Sequence, residues 1–344
     1  MNRKYIFRIA KKKDIKSIML FIKNNWDYNH ILAKNYKYFC YEYLDKEKVN
    51  FFLAINNVDK KIKAIQGFIP YNKNYNHICG SITSVKKSEK TPYLGIETMI
   101  KMLSYTKPDT YCGIGTNPKT MVPLVERFLK RFVGKMDHFY ILNKNVKKFK
   151  ISKIYNLYKI RYYKSNNDNF KLYKIDNFEI LSKQFNLNKT FLNLPKKDKN
   201  YIKKRYFEHP IYNYSCYGIF NKNKKCKSIL ITREVFLKKT KILRIVDFRG
   251  QIEYLSLIKN SLIKLLTQNK YEYLDMISCG IPNKVTTKLG FKKKDLKDKN
   301  IIPNYFDPFI QKNVEIWYEK SHKNLILFKG DADSDRPRLN LPIN

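Results

Sequence analysis

Cys112-Gly113-Ile114-Gly115-Thr116-Asn117-Pro118 and, far along the chain, Ser278-Cys279-Gly280-Ile281-Pro282-Asn283 read alike: a strand ends on glycine, and Pro or Asn opens the next helix. Their offset, on the order of 160 residues, is too long for a solenoid repeat and fits two copies of one domain. The periodicity around each stretch agrees. Ahead of the first, Asp14 is a candidate N-cap for a helix over 14–25, with Ile15, Ile18, Met19 and Ile22 at helical spacing, and a second helix is expected over 30–44. Strand-like runs follow at 49–55, 62–69 and 77–85, the first two joined by the polar turn at 56–60. A helix over 94–103 puts Ile96, Met99, Ile100 and Leu103 on one face, before a strand at 110–114, a further helix and a strand at 137–142. The second half repeats the order, with a basic helix over 198–207, strands at 214–220, 227–236 and 241–248, a helix over 251–267, a strand at 272–279 and a helix over 284–289. The expected fold is α/β (α+β), two tandem domains at 1–163 and 164–344. Each has a mixed, mainly antiparallel sheet flanked by helices, and the polar Lys-Ser-Asn-Asn-Asp-Asn at 164–169 serves as linker.

Composition narrows the class. A chain of 344 residues with 43% hydrophobic and 15% aromatic residues can bury a sizeable core, which excludes wholesale disorder. No apolar run reaches the roughly 18–20 residues of a membrane span, and the opening MNRKYIFRIAKKK has no apolar core of a secretory signal. Six scattered cysteines without a CxxC pair suggest neither disulfides nor zinc, so a cytoplasmic protein with reduced thiols is expected. Seventy Lys and Arg against 29 Asp and Glu give a net charge of +41, a field that favours polyanions. Lys, Asn, Ile, Tyr and Phe are all abundant, however, and all have A/T-rich codons. Lys outnumbers Arg, and the basic residues run along the whole chain. No specific nucleic-acid partner is expected from such a pattern.

The element order resembles the GNAT acyltransferase superfamily, in tandem form. Arg205-Tyr206-Phe207-Glu208-His209-Pro210, Val246-Asp247-Phe248-Arg249-Gly250, Asp137-His138-Phe139-Tyr140 and the tail Gly330-Asp331-Ala332-Asp333-Ser334-Asp335-Arg336-Pro337 are similar to double-domain GNAT-like proteins of surface-polysaccharide and amino-sugar pathways. N-acyltransferases acting on nucleotide-linked 4-amino-4,6-dideoxyhexoses are the nearest biochemical precedent in that group. The resemblance implies acetyl-CoA or another acyl-CoA as co-substrate, no metal, and a nucleotide-linked amino-sugar as acceptor. It also implies a strand that splays from its neighbour near Val85 to pair with pantetheine, and a helix start that holds the pyrophosphate. The family's loop, Gln/Arg-x-x-Gly-x-Gly/Ala, corresponds here to Lys90-Thr91-Pro92-Tyr93-Leu94-Gly95. Gly95 matches, while Tyr93 stands where the first glycine belongs and Lys90 where Gln or Arg belongs. Val85, Lys90, Tyr93, Leu94, Gly95 and Asn117 are thus the expected coenzyme contacts, all in the first copy. The second copy has Gly250 but no such loop, and is expected to complete the acceptor pocket. The tyrosine that protonates the leaving thiolate in many such enzymes corresponds to Val125.

Single residues leave alternatives open. Gly113-Ile114-Gly115 lacks the third glycine of a dinucleotide motif and reads as a tight turn. Asn117 fits a pantetheine contact or a helix cap. The catalytic candidates are Thr83, beside Ser81 on the strand expected to line the thioester, His138 and Asp247; His138 also fits a hydrogen-bonded core histidine. Asp247 and Arg249, two residues apart on a strand, share a face and fit either acceptor recognition or an ion pair. The acidic tail with Asp331, Asp333, Asp335 and Arg336 fits docking onto the basic chain or hydrogen bonds to the sugar, and these residues are the substrate-contact candidates. They do not form an EF-hand, because Arg336 stands where glycine is required. A tRNA-dependent aminoacyl or peptidyl transferase and a degenerate GNAT-like binding protein are the rival readings, and a homodimer is left open.

Overall fold

A computed structural model describes residues 4–156, 169–188, 194–295, 297–306, 309–331, 333–337 and 339. The expected 163/164 boundary and the linker at 164–169, Asn169 apart, lie outside these residues. The chain begins with β1 (Tyr5–Lys11), α1 (Ile15–Asn25), α2 (Ile31–Lys34), α3 (Tyr36–Tyr43), β2 (Leu44–Asp45), β3 (Lys48–Asn56), β4 (Ile62–Pro70) and β5 (His77–Val85). Next come α4 (Leu94–Thr106), β6 (Thr110–Ile114), α5 (Met121–Leu129), β7 (Phe132–Lys135) and β8 (Asp137–Leu142). The following elements are β9 (Phe170–Ile175), α6 (Phe178–Gln184), α7 (Lys199–Ile202), β10 (Tyr214–Asn221), β11 (Cys226–Leu237) and β12 (Thr240–Gly250). The chain continues through α8 (Lys259–Gln268), β13 (Tyr273–Cys279), α9 (Asn283–Leu289), β14 (Lys292–Lys293), β15 (Tyr305–Phe306), β16 (Phe309–Ile310), β17 (Trp317–Lys320) and β18 (Leu327–Phe328). The helix expected over 30–44 is two helices, because the Asn35 side chain accepts the Tyr38 N–H at 2.9 Å and starts α3. The basic N-terminal run also holds a strand not foreseen: β1 pairs antiparallel with β3, and Arg8 clasps Asp14 at 2.7 and 2.9 Å where α1 begins.

Two compact units result: 1–133 with 317–322 and 332–344, and 134–316 with 323–331. In the first, an eight-stranded mixed sheet runs β1-β3-β4-β5-β6-β17-β7, with β2 on β3. In the second, another eight-stranded sheet runs β14-β8-β13-β12-β11-β10-β9, with β18 on β13. Strand β8, which the sequence order had put in the first copy, therefore belongs to the second sheet, paired from Leu142↔Tyr273 to Asp137↔Ser278. Strand β17 reaches the first sheet from the far end of the chain. Apolar alternation marks a strand but not the edge it joins. Helix α4 packs Ile96, Met99 and Met102 against Phe52, Phe68 and Tyr111 in the first core. Leu255, Leu262 and Leu266 pack against Leu243, Ile245 and Met276 in the second.

The two sheets share one irregularity. In the first unit, parallel pairing of β5 with β6 runs from His77↔Thr110 to Gly80↔Gly113 and stops. Beyond that fork β5 continues beside β4 alone, across a bulge at Ser81-Ile82, while the chain after β6 turns away at Gly115 with φ +89°. In the second unit, β12 pairs with β13 only from Leu243↔Leu274 to Ile245↔Met276, and Val246 is the bulge. There the fork is filled by the protein's own chain. Phe328 pairs with Ser278, Lys329 N–H reaches Ile277 C=O at 2.9 Å, and Gly330 N–H reaches Val246 C=O at 2.7 Å. A Cβ on Gly330 would lie 2.5 Å from the Val246 carbonyl oxygen, so only glycine threads this gap.

Candidate active site

The fork of the first unit opens a cavity of about 440 Å³, lined by the free edge of β5, the start of α4 and the turn after β6. Thr83, Val85, Tyr93, Leu94, Gly95 and Asn117, all singled out on sequence, meet in its wall. Helix α4 starts without a side-chain cap. Its first internal bond runs from Glu97 N–H to Tyr93 C=O at 2.9 Å, so the N–H groups of Leu94, Gly95 and Ile96 have no carbonyl one turn back. Tyr93 has φ +59°, the left-handed conformation that glycine adopts without strain, so the backbone turn survives the side-chain change. A Cβ on Gly95 would lie 3.2 Å from Val85 and 3.8 Å from Thr83 side-chain carbons, so the start of α4 packs close against β5 here. Lys90 is exposed and does not line the cavity. Its neighbour Thr91 does, and fixes the loop: its hydroxyl lies 2.6 Å from Lys4 Nζ and Tyr5 OH and donates to Glu89 at 2.7 Å. Those bonds from Thr91 hold the Glu89 carboxyl down to about 2. The Asn117 side-chain oxygen accepts the Lys119 and Thr120 N–H groups, so it caps the chain ahead of α5 as well as lining the cavity.

Thr83 donates its hydroxyl proton to Gln66 Oε1 at 2.5 Å, a positioning bond rather than a free proton path. His138 and Asp247 lie in the second unit. His138 pairs with Asp275 at 3.0 Å, Asp275 takes Arg244 in a two-point clasp at 2.9 and 2.6 Å, and burial pulls the histidine pKa down. Asp247 is fully buried; it accepts Lys197 at 2.6 Å, the Tyr206 hydroxyl at 2.7 Å and the Phe248 N–H at 2.8 Å. Lys197 also pairs with buried Asp331 at 2.6 Å, and Arg249 donates to the Pro195 and Lys197 carbonyls. Three of the quoted motifs, those at 205–210, 246–250 and 330–337, thus contribute to one buried charge network in that unit. Within the first unit, Arg336 pairs with Asp333 at 2.6 Å, and Asp335 is buried. None of Arg249, Asp331, Asp333, Asp335 and Arg336 lines the cavity at the fork. Among the described residues no cluster of three or more His, Cys, Asp or Glu could hold a metal ion, and no helix is long and apolar enough to cross a membrane.

No protein-family model and no curated protein matches the sequence. Solved structures do match in shape. A GCN5-related N-acetyltransferase from Anabaena variabilis aligns with TM-score 0.53 at 10% identity, over 92% of this chain and 72% of its own. A protein of Enterococcus faecalis described as a probable N-acyltransferase aligns with TM-score 0.53 at 9% identity, over 93% of this chain and 73% of its own. This chain has the tandem GNAT fold. The fork of the first unit has features that an acyl-CoA would fit. Among the described residues the β5 edge beyond Gly80 has no strand partner on its β6 side, which would suit a pantetheine arm, and the uncapped start of α4 lines the same cavity, which would suit a pyrophosphate. The matching slot of the second unit is occupied by 327–330 and does not fit.

The GNAT cleft contains one group that the sequence reading missed. Glu319 on β17 sits opposite Gly113, and its carboxyl lies 3.0 Å from where a Gly113 Cβ would be. It is buried, it lines the cavity, and its Oε2 has no hydrogen-bond partner among the described residues. Burial pushes its pKa up to about 7, against the pull of the Arg131 guanidinium. The only sequence signal for it was Trp-Tyr-Glu-Lys at 317–320, a short strand with one acidic residue, far from every motif of the first copy. Val125, where a tyrosine acid would stand, is fully buried in the core and offers no proton.

Proposed function

We propose that this chain is an acyl-CoA-dependent N-acyltransferase whose acceptor is the amino group of a nucleotide-linked amino-sugar. The open fork between β5 and β6, beside an uncapped helix start, carries the transferase part of the reading. The acceptor class rests on the resemblance carried by the motifs at 137–140, 205–210, 246–250 and 330–337, and on the chemistry of the amine. A sugar amine flanked by electron-withdrawing C–O bonds has a pKa well below the roughly 10.4 of lysine, so far more of it is neutral near pH 7 than of a lysine amine. The backbone near Ser81–Val85 would align the thioester, with N–H groups there meeting the developing oxyanion. The thiolate leaves readily, since a thiol pKa near 8.5 makes it a good leaving group without a tyrosine acid.

The test has two arms. Acetyl-CoA binding is followed by quenching of Trp26, which lines the cavity. Gly95→Glu should weaken binding at least tenfold, because it puts bulk and negative charge where the start of α4 packs close against β5 in the cavity wall. Thiol release is then monitored with acetyl-CoA and a panel of nucleotide amino-sugars. Binding without thiol release on any amine would leave a degenerate GNAT-fold binding protein. Transfer only from aminoacyl-tRNA would replace the donor.

A further inference from the structure

We propose that Glu319 is the general base of the cleft, taking the proton from the attacking amine at the fork between Gly80 and Gly113. This rests on the acyltransfer reading above. Gly80↔Gly113 is the last pair of the parallel register, and beyond it the strands part. The cavity wall there includes both glycines, Tyr111 and Glu319. Strand β17 brings the carboxyl to this point by pairing Glu319 with Gly113, and the missing Cβ of Gly113 is what leaves it room. A buried carboxyl oxygen without a protein partner costs free energy, and such an atom in a cleft calls for a ligand or a proton.

The groups around it are few. From β6 it faces the Tyr111 hydroxyl, a phenol held neutral by burial. From the segment after α5 comes Arg131, whose guanidinium lies 4.8 Å from the centre of the Tyr111 ring. On β5, Gly80 and Ser81 bring no charge, and Tyr318 and Lys320, one residue either side of Glu319 on β17, share the face opposite to it, with Lys320 Nζ 5.3 Å from the Tyr318 ring centre. Among the described residues the Arg131 guanidinium is the opposing charge, and burial prevails over it, pushing the carboxyl pKa up to about 7. A base poised there is matched to its task.

The step balances without any further reactant. The amine nitrogen forms its bond to the acyl carbon, the carbon–sulfur bond breaks, and the pair in that bond leaves on sulfur. The amine proton passes to Glu319, which then returns it to the thiolate. Products are an amide and a free thiol, and the carboxylate is restored. One carboxyl thus serves as base and then acid, doing the task for which Val125 is unsuited.

The experiment compares full-length parent, Glu319→Gln and Glu319→Asp, using acetyl-CoA as probe, the amino-sugar panel as acceptor, and infrared titration of the buried carboxyl band. Expected is a band present in the parent, absent in Glu319→Gln, and titrating near pH 7. Glu319→Gln should bind acetyl-CoA within about twofold of the parent while kcat falls at least about a hundredfold. Its kcat profile should lose the inflection near pH 7, and Glu319→Asp should recover part of both. A parent that turns over while Glu319→Gln keeps its rate and pH profile overturns the base role alone. A band titrating in the ordinary carboxylate range overturns it independently of turnover, including where a variant fails to fold. A parent that binds acetyl-CoA but releases no thiol on any amine removes the transfer reading, and the base role with it.

Discussion

Glu319 carries an energetic cost that can be measured without any substrate. Its folded pKa near 7 stands above the ordinary 4.5 because the charged form is buried. A carboxyl whose folded pKa is raised imposes no penalty below its unfolded pKa, and stability is lost as pH climbs through the folded one. The shift corresponds to about 3 kcal/mol above neutrality, at 1.36 kcal/mol per unit. Glu319→Gln removes it. The variant's stability advantage, from urea unfolding of both proteins, should therefore grow by about 2 kcal/mol between about pH 5 and pH 8. An advantage that does not change with pH would mean that the carboxyl is not desolvated. Tyr93, at the start of α4, bears a backbone cost instead. At φ +59° a non-glycine residue is strained by about 1–2 kcal/mol, partly offset by its edge-on contact with Phe128 at 5.5 Å between ring centres. Tyr93→Gly should change unfolding free energy by less than about 1 kcal/mol and keep acetyl-CoA affinity, because the helix-start N–H groups belong to the backbone. Tyr93→Val, β-branched and averse to that conformation, should weaken both.

At the scale of elements, the network around Asp247 behaves as structure. Lys197 lies between two fully buried carboxylates, and Tyr206 and Phe248 supply the remaining bonds. Asp247→Ala leaves a buried ammonium short of a partner and a buried phenol without its acceptor, a defect of about 3–5 kcal/mol. Thermal unfolding should show that loss as a large drop in Tm, whereas a variant with parental Tm and a raised KM for sugar would return Asp247 to the acceptor site. The sequence could show that 246–250 ends a strand and carries charge, but not what lies opposite. Partners at 197, 206 and 331 are distant in sequence and meet only when the sheet forms. The same limit explains the rest. Element order along most of the chain, helix α4 and the loop at 90–95 were legible because their signals are local: period, caps and a short motif. The exchange of β8 and β17 between sheets, and with it Glu319, was not, since two-residue alternation is silent about pairing partners. The filled fork of the second unit was hidden for the same reason. It has a direct consequence, because a slot already hydrogen-bonded by 327–330 has no edge to offer. Calorimetric titration with acetyl-CoA should give one site per chain, and a second site would mean that this segment is displaced.

Over the whole molecule the dominant quantity is charge: +41 on 344 residues. A few cations are consumed internally, among them Lys197, Arg244 and Arg249, each buried against carboxylates or carbonyls. Most of the remainder meet water, and their mutual repulsion opposes the compact state. Added salt should therefore raise Tm, by screening over a length of about 10 Å at 0.1 M. The same field sets how nucleic acid and coenzyme differ as ligands. A polyanion such as tRNA would be held by many lysines at once, through release of its counterions, so its affinity should fall with a steep logarithmic slope in salt. Acetyl-CoA in the fork would be held by backbone N–H groups at the start of α4, by the β5 edge and by few side-chain charges, which predicts a shallow slope. Parallel titrations from about 0.05 M to 0.2 M salt should show tRNA binding lost by orders of magnitude and acetyl-CoA binding changed only several-fold. The ordering of the two slopes is the decisive result. If tRNA kept sub-micromolar affinity at the upper salt while acetyl-CoA lost its own, the basic surface would be organised for that partner. Aminoacyl transfer from tRNA would then replace the acyl-CoA reading.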